Sequence, residues 1–409
     1  MSRNYSYLKS VKVHVTDLKI GMYVGALDRD WADSSFLFQG FPIHEESDLL
    51  ALRNECEFVF VDFPSVDDYK IHLENIKKSS SANENLEKRG VQEELSEAAE
   101  AFMASSKVVK SIMDSISLGE AFDVESVKST VRSCVYSILR NKDALLVLTQ
   151  IRNQDAYTAE HCMRVGIVSI AFAKYLGLSE EHMEDLGVSG MLHDVGKMKI
   201  PIKILNKPGS LTHQEMDVMK QHAELGYEIL LKKRNLSPAA VDVVYTHHER
   251  NNGSGYPRGL EHDKISFNSK LIAIVDVHDA ITSNRVYSKG CSATDAYKIL
   301  MEGRNHLFDA KLVLKFIEWQ GVYPAGSIVE MSNGQLGIVI EINPDRKLKP
   351  KVLLVTDEEK RPRPPKVVNL AKMDLDSGGN YYTIKATHAD GHLGISLKEH
   401  LLRGLKLYF

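Results

Sequence analysis

Five histidines and two aspartates stand out by type and spacing: His161, the pair His193-Asp194, His222, the pair His247-His248, and Asp276. Nine of the 16 histidines in this 409-residue chain fall in the 118 residues from His161 to His278. Imidazole nitrogens and carboxylate oxygens are donors that transition-metal ions take from proteins, and burying so many of them unpaired is costly. A cation satisfies them together. Seven donors exceed what one four-coordinate ion takes, so the set predicts two cations about 3.5–4 Å apart, bridged by an aspartate. With nitrogen and oxygen donors and no thiolate among them, the set suits iron, manganese or zinc.

Lys197 follows His193 by four residues and Asp194 by three, which on a helix puts its ammonium on the face of that pair, aimed at a substrate phosphate. The elements that must carry these groups follow from the pattern around them. Val165, Val168, Phe172 and Leu176 form a stripe of helical period ending at Gly177, with His161 one turn ahead of Val165 on the same stripe. Ser179, followed by Glu180 and Glu181, caps a second helix expected to end near Lys197. Thr212 and Glu215 form a capping box for a third, and Ser237-Pro238 opens a fourth. His222 falls between Met219 and Gly226, His248 one turn after Val244, and Asp276 interrupts the apolar run from Leu271 to Val277. Two loops lie between these helices, at 199–211 and 251–259. In the second, Gly253, Gly255 and Pro257 predict a tight turn bordering the metal site, and Tyr256 there lines either a base pocket or an interaction surface.

Outside this segment the texture changes. Residues 1–75 read as a small β-rich module, in which Val11, Val13 and Val15 alternate with Lys12 and His14, and Phe58 to Phe63 forms a further strand. Residues 76–96, poor in apolar side chains and containing Ser79-Ser80-Ser81, read as a linker. Residues 97–150 read as connecting helices, with stripes at Val109, Ile112 and Ile116 and at Val124, Val127, Val131 and Val135. The helical catalytic segment spans 151–320. After it, 321–375 read as a small β appendage with a turn at Asn333-Gly334, and 376–409 as a tail. Pro362, Pro364 and Pro365 are expected to break any regular element. The expected fold is mainly α, flanked by two small β modules.

Composition narrows the partners. Lys plus Arg number 51 against 55 Asp plus Glu, a net charge of −4, which excludes a global basic field for a nucleic-acid duplex or an anionic membrane. No apolar run approaches the roughly 18 residues that span a bilayer, and no apolar stretch follows the first eight residues as a secretory signal requires. The four cysteines, Cys56, Cys134, Cys162 and Cys291, form no CxxC pair and predict neither a disulfide framework nor a thiolate zinc site. A cytoplasmic location is expected.

His193-Asp194-Val195-Gly196-Lys197 reads HDxGK, and His247-His248-Glu249 runs on to Gly253-Ser254-Gly255-Tyr256-Pro257 as HHE followed by GxGYP. In these motifs, and in Tyr157-Thr158, Lys207-Pro208-Gly209 and Asp309, the stretch 155–318 resembles the HD-GYP family of the HD phosphohydrolase superfamily. The stretch around Leu18-Lys19-Ile20-Gly21-Met22-Tyr23-Val24 resembles a domain of unknown function that often precedes HD-GYP domains. The resemblance implies a helical HD-type metal-dependent phosphohydrolase domain. It implies hydrolysis of cyclic dinucleotides, chiefly cyclic di-GMP, to the linear dinucleotide and on to GMP, in bacterial second-messenger signalling. It also implies that His161, His193, Asp194, His222, His247, His248 and Asp276 hold two divalent ions with Asp194 bridging, and that Lys197 and Arg285 contact substrate phosphate. Gly255 and Tyr256 are expected at the substrate, and Lys289 to stand in for a family lysine that is Ser288 here. Tyr157 occupies the position where a subset of the family carries a glutamate that builds a third metal site, so two ions are expected. Two alternatives accompany this reading: a preference for 3′,3′-cyclic GMP-AMP, and a catalytically silent cyclic-dinucleotide receptor. A homodimer, and a signalling protein docked on the GYP loop or the N-terminal module, complete the expected partners.

Overall fold

The computed structural model describes residues 9–20, 22–29, 41–43, 46–63, 88–149, 157–233, 235–283, 291–343, 346, 348–388 and 391–395. Strands β1 (Lys9–His14), β2 (Tyr23–Leu27), β3 (Phe41–Pro42) and β4 (Phe58–Phe63) form an antiparallel sheet in the order β1-β4-β2-β3. Alternation turns Val13, Val24, Val59 and Val61 to one face, where Leu49 and Leu52 of helix α1 (Glu46–Glu55) cover them.

Helix α2 (Val91–Leu118) begins inside the stretch expected as linker. The sparse apolar residues there misled because a charge is part of the packing. Glu94 is fully buried and accepts two 2.7 Å hydrogen bonds from Arg140 at the end of α3 (Val124–Arg140), so the first turns of α2 dock beside Ala98 and Ala101. Helix α4 (Lys142–Leu148) follows directly, capped by Asn141.

The helical domain continues with α5 (Tyr157–Tyr175) and α6 (Glu180–Leu192), which meet backbone to backbone: a Cβ on Gly190 would lie 2.7 Å from Gly166. That close approach sets His161 of α5 beside His193 at the end of α6. The second predicted helix does not run unbroken to Lys197; it ends at Leu192 and gives way to a 3₁₀ turn, Val195–Lys199. Gly196 explains the change, since a Cβ there would sit 1.9 Å from the His222 carbonyl oxygen, so the tight turn lies directly on the next helices. These are α7 (Ile202–Leu205), α8 (His213–Lys220), α9 (His222–Leu231) and α10 (Pro238–Thr246). Helices α11 (Phe267–Thr282), α12 (Ala293–Gly303) and α13 (Ala310–Gln320) close the domain, with Phe172 of α5 packed against Phe316 and Trp319 of α13 at ring separations of 5.2 Å.

The C-terminal strands β5 (Ile328–Met331), β6 (Leu336–Glu341), β7 (Lys351–Thr356), β8 (Pro362–Asn369) and β9 (Ile384–His388) form a second antiparallel sheet in the order β8-β7-β6-β5-β9. Two expectations are corrected here. The prolines at 362, 364 and 365 do not prevent a strand, because β8 is at the sheet edge and its pairing with β7 passes from Lys366 to Pro362 through a register shift, leaving 364 and 365 without ladder partners. The stretch expected as a tail contributes β9, which pairs with β5 through Ile328↔His388 to Met331↔Ile384, while Tyr382 is buried and donates its hydroxyl to Gln335. Val147 of α4 packs with Ile328, Leu336 and Ile338 and joins this sheet to the helices.

The N-terminal module rests on the start of α11, the helix that carries Asp276. His14 meets the edge of the Phe267 ring at 5.9 Å, as does His182 of α6. His182 is itself buried, its Nε2–H donating to Asn268 Oδ1 at 2.6 Å. Burial, partly offset by that bond, lowers its pKa to about 4 from an ordinary 6.5. Unfolded His182 therefore takes up a proton in a pH range where the folded imidazole stays neutral, and stability falls as the pH drops from about 6.5 to about 4. A shift of this size corresponds to about 3 kcal/mol. In urea unfolding at pH 7 and pH 4.5, His182→Gln should lose less stability than the wild type by a few kcal/mol; identical losses would contradict this assignment.

Candidate metal centre

Three of the histidines are oriented by the same local device. The last carbonyls of a helix lack intrahelical donors. His193, at the end of α6, donates Nδ1–H to the Gly190 carbonyl at 2.8 Å; His222 donates to Met219 at the end of α8 at 2.7 Å; His247, after α10, donates to Val244 at 3.0 Å. In each case the carbonyl lies three residues back. Each Nε2 lone pair is thereby turned toward the common centre, as a metal ligand requires.

The ligand atoms fall into two groups, each within a 4.8 Å span: His161, His193 and Asp276 in one, Asp194, His222, His247 and His248 in the other. Asp194 faces both. Its Oδ2 lies 3.2 Å from His193 Nε2 and 3.8 Å from His161 Nε2, while its Oδ1 lies 3.3 Å from His222 Nε2 and 3.8 Å from His247 Nε2. His193 Nε2 and Asp194 Oδ1 are buried with no hydrogen-bond partner. An orphaned ring nitrogen and an orphaned carboxylate oxygen, buried among further imidazole and carboxylate donors, fit a metal site.

The protonation states of His222, His248, Asp194 and Asp276 favour the same occupants. Burial holds His222 down to about 3 and His248 well below its ordinary value, so both imidazoles are neutral at physiological pH. Burial alone would raise the Asp194 pKa, but Lys197 and His193 outweigh it and hold the carboxyl well below the usual range. Asp276, also buried, is kept low by His161. Neutral imidazoles and ionised carboxylates are the forms that bind metal; His193 is the exception, since burial lowers its pKa but Asp194 outweighs that and raises it well above the ordinary value, so it must give up a proton to act as a ligand.

His161 sits between two carboxylates, Nε2 2.9 Å from Asp276 Oδ1 and Nδ1 2.7 Å from Asp279 Oδ2. Asp279 is clamped by Arg164, whose Nε and Nη2 donate at 2.8 and 2.9 Å, and Arg164 also reaches Ser283 Oγ at 3.2 Å. Sequence reasoning missed Asp279 and Arg164. Their signal was present, since each lies three residues beyond a ligand, Asp276 or His161, on the same helix face.

Lys197 lies on the 3₁₀ turn and donates Nζ to Asp194 Oδ2, with about a quarter of its side chain exposed at the opening of the site. Tyr256 stacks on His248 at 4.7 Å, and Lys220 Nζ lies 5.8 Å from the centre of the Tyr256 ring. Gly255 is held so close that a Cβ would lie 2.4 Å from the Glu249 backbone, and buried Glu249 fixes the loop by accepting the N–H groups of Arg258 and Leu260 at 2.7 and 2.8 Å. Arg285, Ser288 and Lys289 lie outside the described residues.

If the Arg164–Asp279 pair orients His161 as a ligand, Asp279→Asn should weaken metal binding by about 10–100-fold, measured by titration of metal-free protein. Unchanged affinity would leave Asp279 a purely structural residue.

Residues 10–127 match a domain of unknown function (DUF3391), 135–312 the HD domain, and 328–386 a KOW domain associated with HD domains. The cyclic di-GMP phosphodiesterase PA4108 of Pseudomonas aeruginosa is 34% identical over 369 residues, which cover 88% of this chain and 89% of that protein. The cyclic di-GMP phosphodiesterase response regulator RpfG of Xanthomonas campestris is 36% identical over 199 residues, 46% of this chain and 53% of its own. The 3′3′-cGAMP-specific phosphodiesterase 2 of Vibrio cholerae is 38% identical over 162 residues, 39% of this chain and 31% of its own. With a relative matched over nearly its whole length, and with the HDxGK and GxGYP segments converging on one buried donor cluster, the chain belongs to the HD-GYP family.

Proposed function

We propose that this protein is a metal-dependent phosphodiesterase that hydrolyses cyclic dinucleotides, with cyclic di-GMP as its substrate. The observation that carries the reading is Asp194, buried and ionised, with one oxygen directed at each group of ligands and Lys197 beside it. Cations held there supply Lewis-acid polarisation of a phosphodiester and a nucleophilic oxygen at neutral pH. The protein's own groups do the rest. His161, His193 and Asp276 would hold one ion and His222, His247 and His248 the other, with Asp194 available to both. Lys197, at the opening, neutralises charge that builds on the phosphoryl oxygen as the diester is cleaved. Tyr256, backed by His248 and held by the Gly255 turn, lines the entrance where a base would rest, and Arg285 and Lys289 are assigned to substrate phosphate.

Iron or manganese, with zinc as the third choice, matches this nitrogen and oxygen donor set. Support for cyclic di-GMP over the hybrid cyclic GMP-AMP comes from PA4108, the relative named for cyclic di-GMP that matches all but a small part of the chain. Among the described residues no helix is long and apolar enough to cross a membrane. A cytoplasmic location follows from the nucleotide messenger it acts on.

Protein loaded anaerobically with iron or manganese should convert cyclic di-GMP to the linear dinucleotide faster than it converts cyclic GMP-AMP when the two compete. The double variant His193→Ala, Asp194→Ala should fall to background, and Lys197→Ala should lose about 10²–10³-fold in kcat, as when one charge-stabilising donor is removed from an active site. Tight binding of cyclic di-GMP by metal-replete protein with no turnover would contradict the enzyme reading and make the protein a receptor.

A further inference from the structure

We propose that the C-terminal sheet carries a second binding site, which takes a small organic oxyanion on Arg363. A groove of about 410 Å³ opens at one end of that sheet, walled by the turn at 357–361, the start of β8 and the loop at 375–382. Its volume falls in the range of about 300–1,000 Å³ typical of small-molecule sites. Strand β8 reaches the groove through an irregularity: its pairing with β7 passes from Lys366 opposite Leu354 to Pro362 opposite Thr356. Residues 363–365 leave the ladder there, and such a break re-aims side chains away from the regular alternation. Arg363 lines the groove, and its Nε is buried with no hydrogen-bond partner.

The carboxylates on the same walls are already engaged. Arg361 donates Nε to Asp357 and Nη2 to Glu359, both at 2.7 Å, and Ser377 donates its hydroxyl to Glu358 at 2.5 Å. Asp376 accepts the N–H groups of Gly378 and Asn380 at 2.9 and 2.8 Å. Beside Arg363 stands a second cation, Lys366, its Nζ 6.0 Å from the centre of the Tyr382 ring. Arg140 and Arg164, whose guanidinium groups serve the fold, each meet a carboxylate through two hydrogen bonds. Arg363 has no such bond, and its Nε has lost water without gaining an acceptor. A planar guanidinium in that state suits a carboxylate or phosphate head group, which it binds through paired N–H bonds. Half-exposed Leu375 and the Tyr382 ring, anchored by its hydroxyl on Gln335 at 3.1 Å, give apolar surface to the body of the ligand.

Arginine labelling read residue by residue keeps this site apart from anion binding at the metal centre. The full-length, metal-loaded protein is treated with phenylglyoxal, and the labelled arginines are located by mass spectrometry at rising concentrations of inorganic phosphate or of acetate. Either anion should slow labelling of Arg363 to a saturating limit, by about tenfold once it stands at about ten times its Kd. Arg132, paired with Glu184 in the helical domain, should keep its rate. The anion that protects at lower concentration identifies the head group as phosphate or carboxylate. Lys366→Gln, checked for folding by circular dichroism, should move the protection to higher anion concentration. Labelling of Arg363 that neither anion slows, that is slowed no more than labelling of Arg132, or whose protection is unchanged in Lys366→Gln would overturn the site.

Discussion

Five imidazoles and two carboxylates converge on one site; His161 Nε2 bonds Asp276 Oδ1 at 2.9 Å, but His193 Nε2 and Asp194 Oδ1 are buried with no hydrogen-bond partner. Those two atoms have given up water without compensation, which a positive occupant of the centre would supply. The rest of the helical domain is arranged around that requirement. Helices α5 and α6 touch through glycines so that His161 and His193 can meet, and Gly196 lets the next turn settle on α9 so that Asp194 reaches His222. Carbonyls in the last turns of helices then aim three of the rings.

Charge is balanced in two stages outward from this centre. Lys197 compensates Asp194 at the open side, and Arg164 compensates Asp279 at the closed side, behind His161. The consequence is an asymmetric site. One flank presents an ammonium to solvent, while the other is locked by a buried ion pair that holds the His161 ring in place. A net charge of −4 is compatible with an anionic ligand at this site, since the positive charge of Lys197 is local and cations held by the donor set would add to it.

The donor set was legible in the sequence because histidine and aspartate at helical positions amid apolar neighbours have few inexpensive alternatives. The helices bearing them were legible for the same reason, through the Val165 stripe and the caps at Ser179, Thr212 and Ser237. What escaped were charges that work in pairs across the fold. Asp279, Arg164 and Glu94 look like solvated residues until their partners are brought in from more than 40 positions away, and only tertiary contact distinguishes a buried ion pair from a surface one. Strand β9 escaped because its pairing with β5 is equally non-local, and β8 because proline forbids a central strand but not an edge.

The central claim is that one carboxylate organises two cations. A crystal structure of metal-loaded protein with anomalous scattering data tests it directly. The account predicts two anomalous peaks bridged by Asp194, one contacting His161, His193 and Asp276, the other contacting His222, His247 and His248. A single peak, or an Asp194 that contacts Lys197 and no metal, would contradict it.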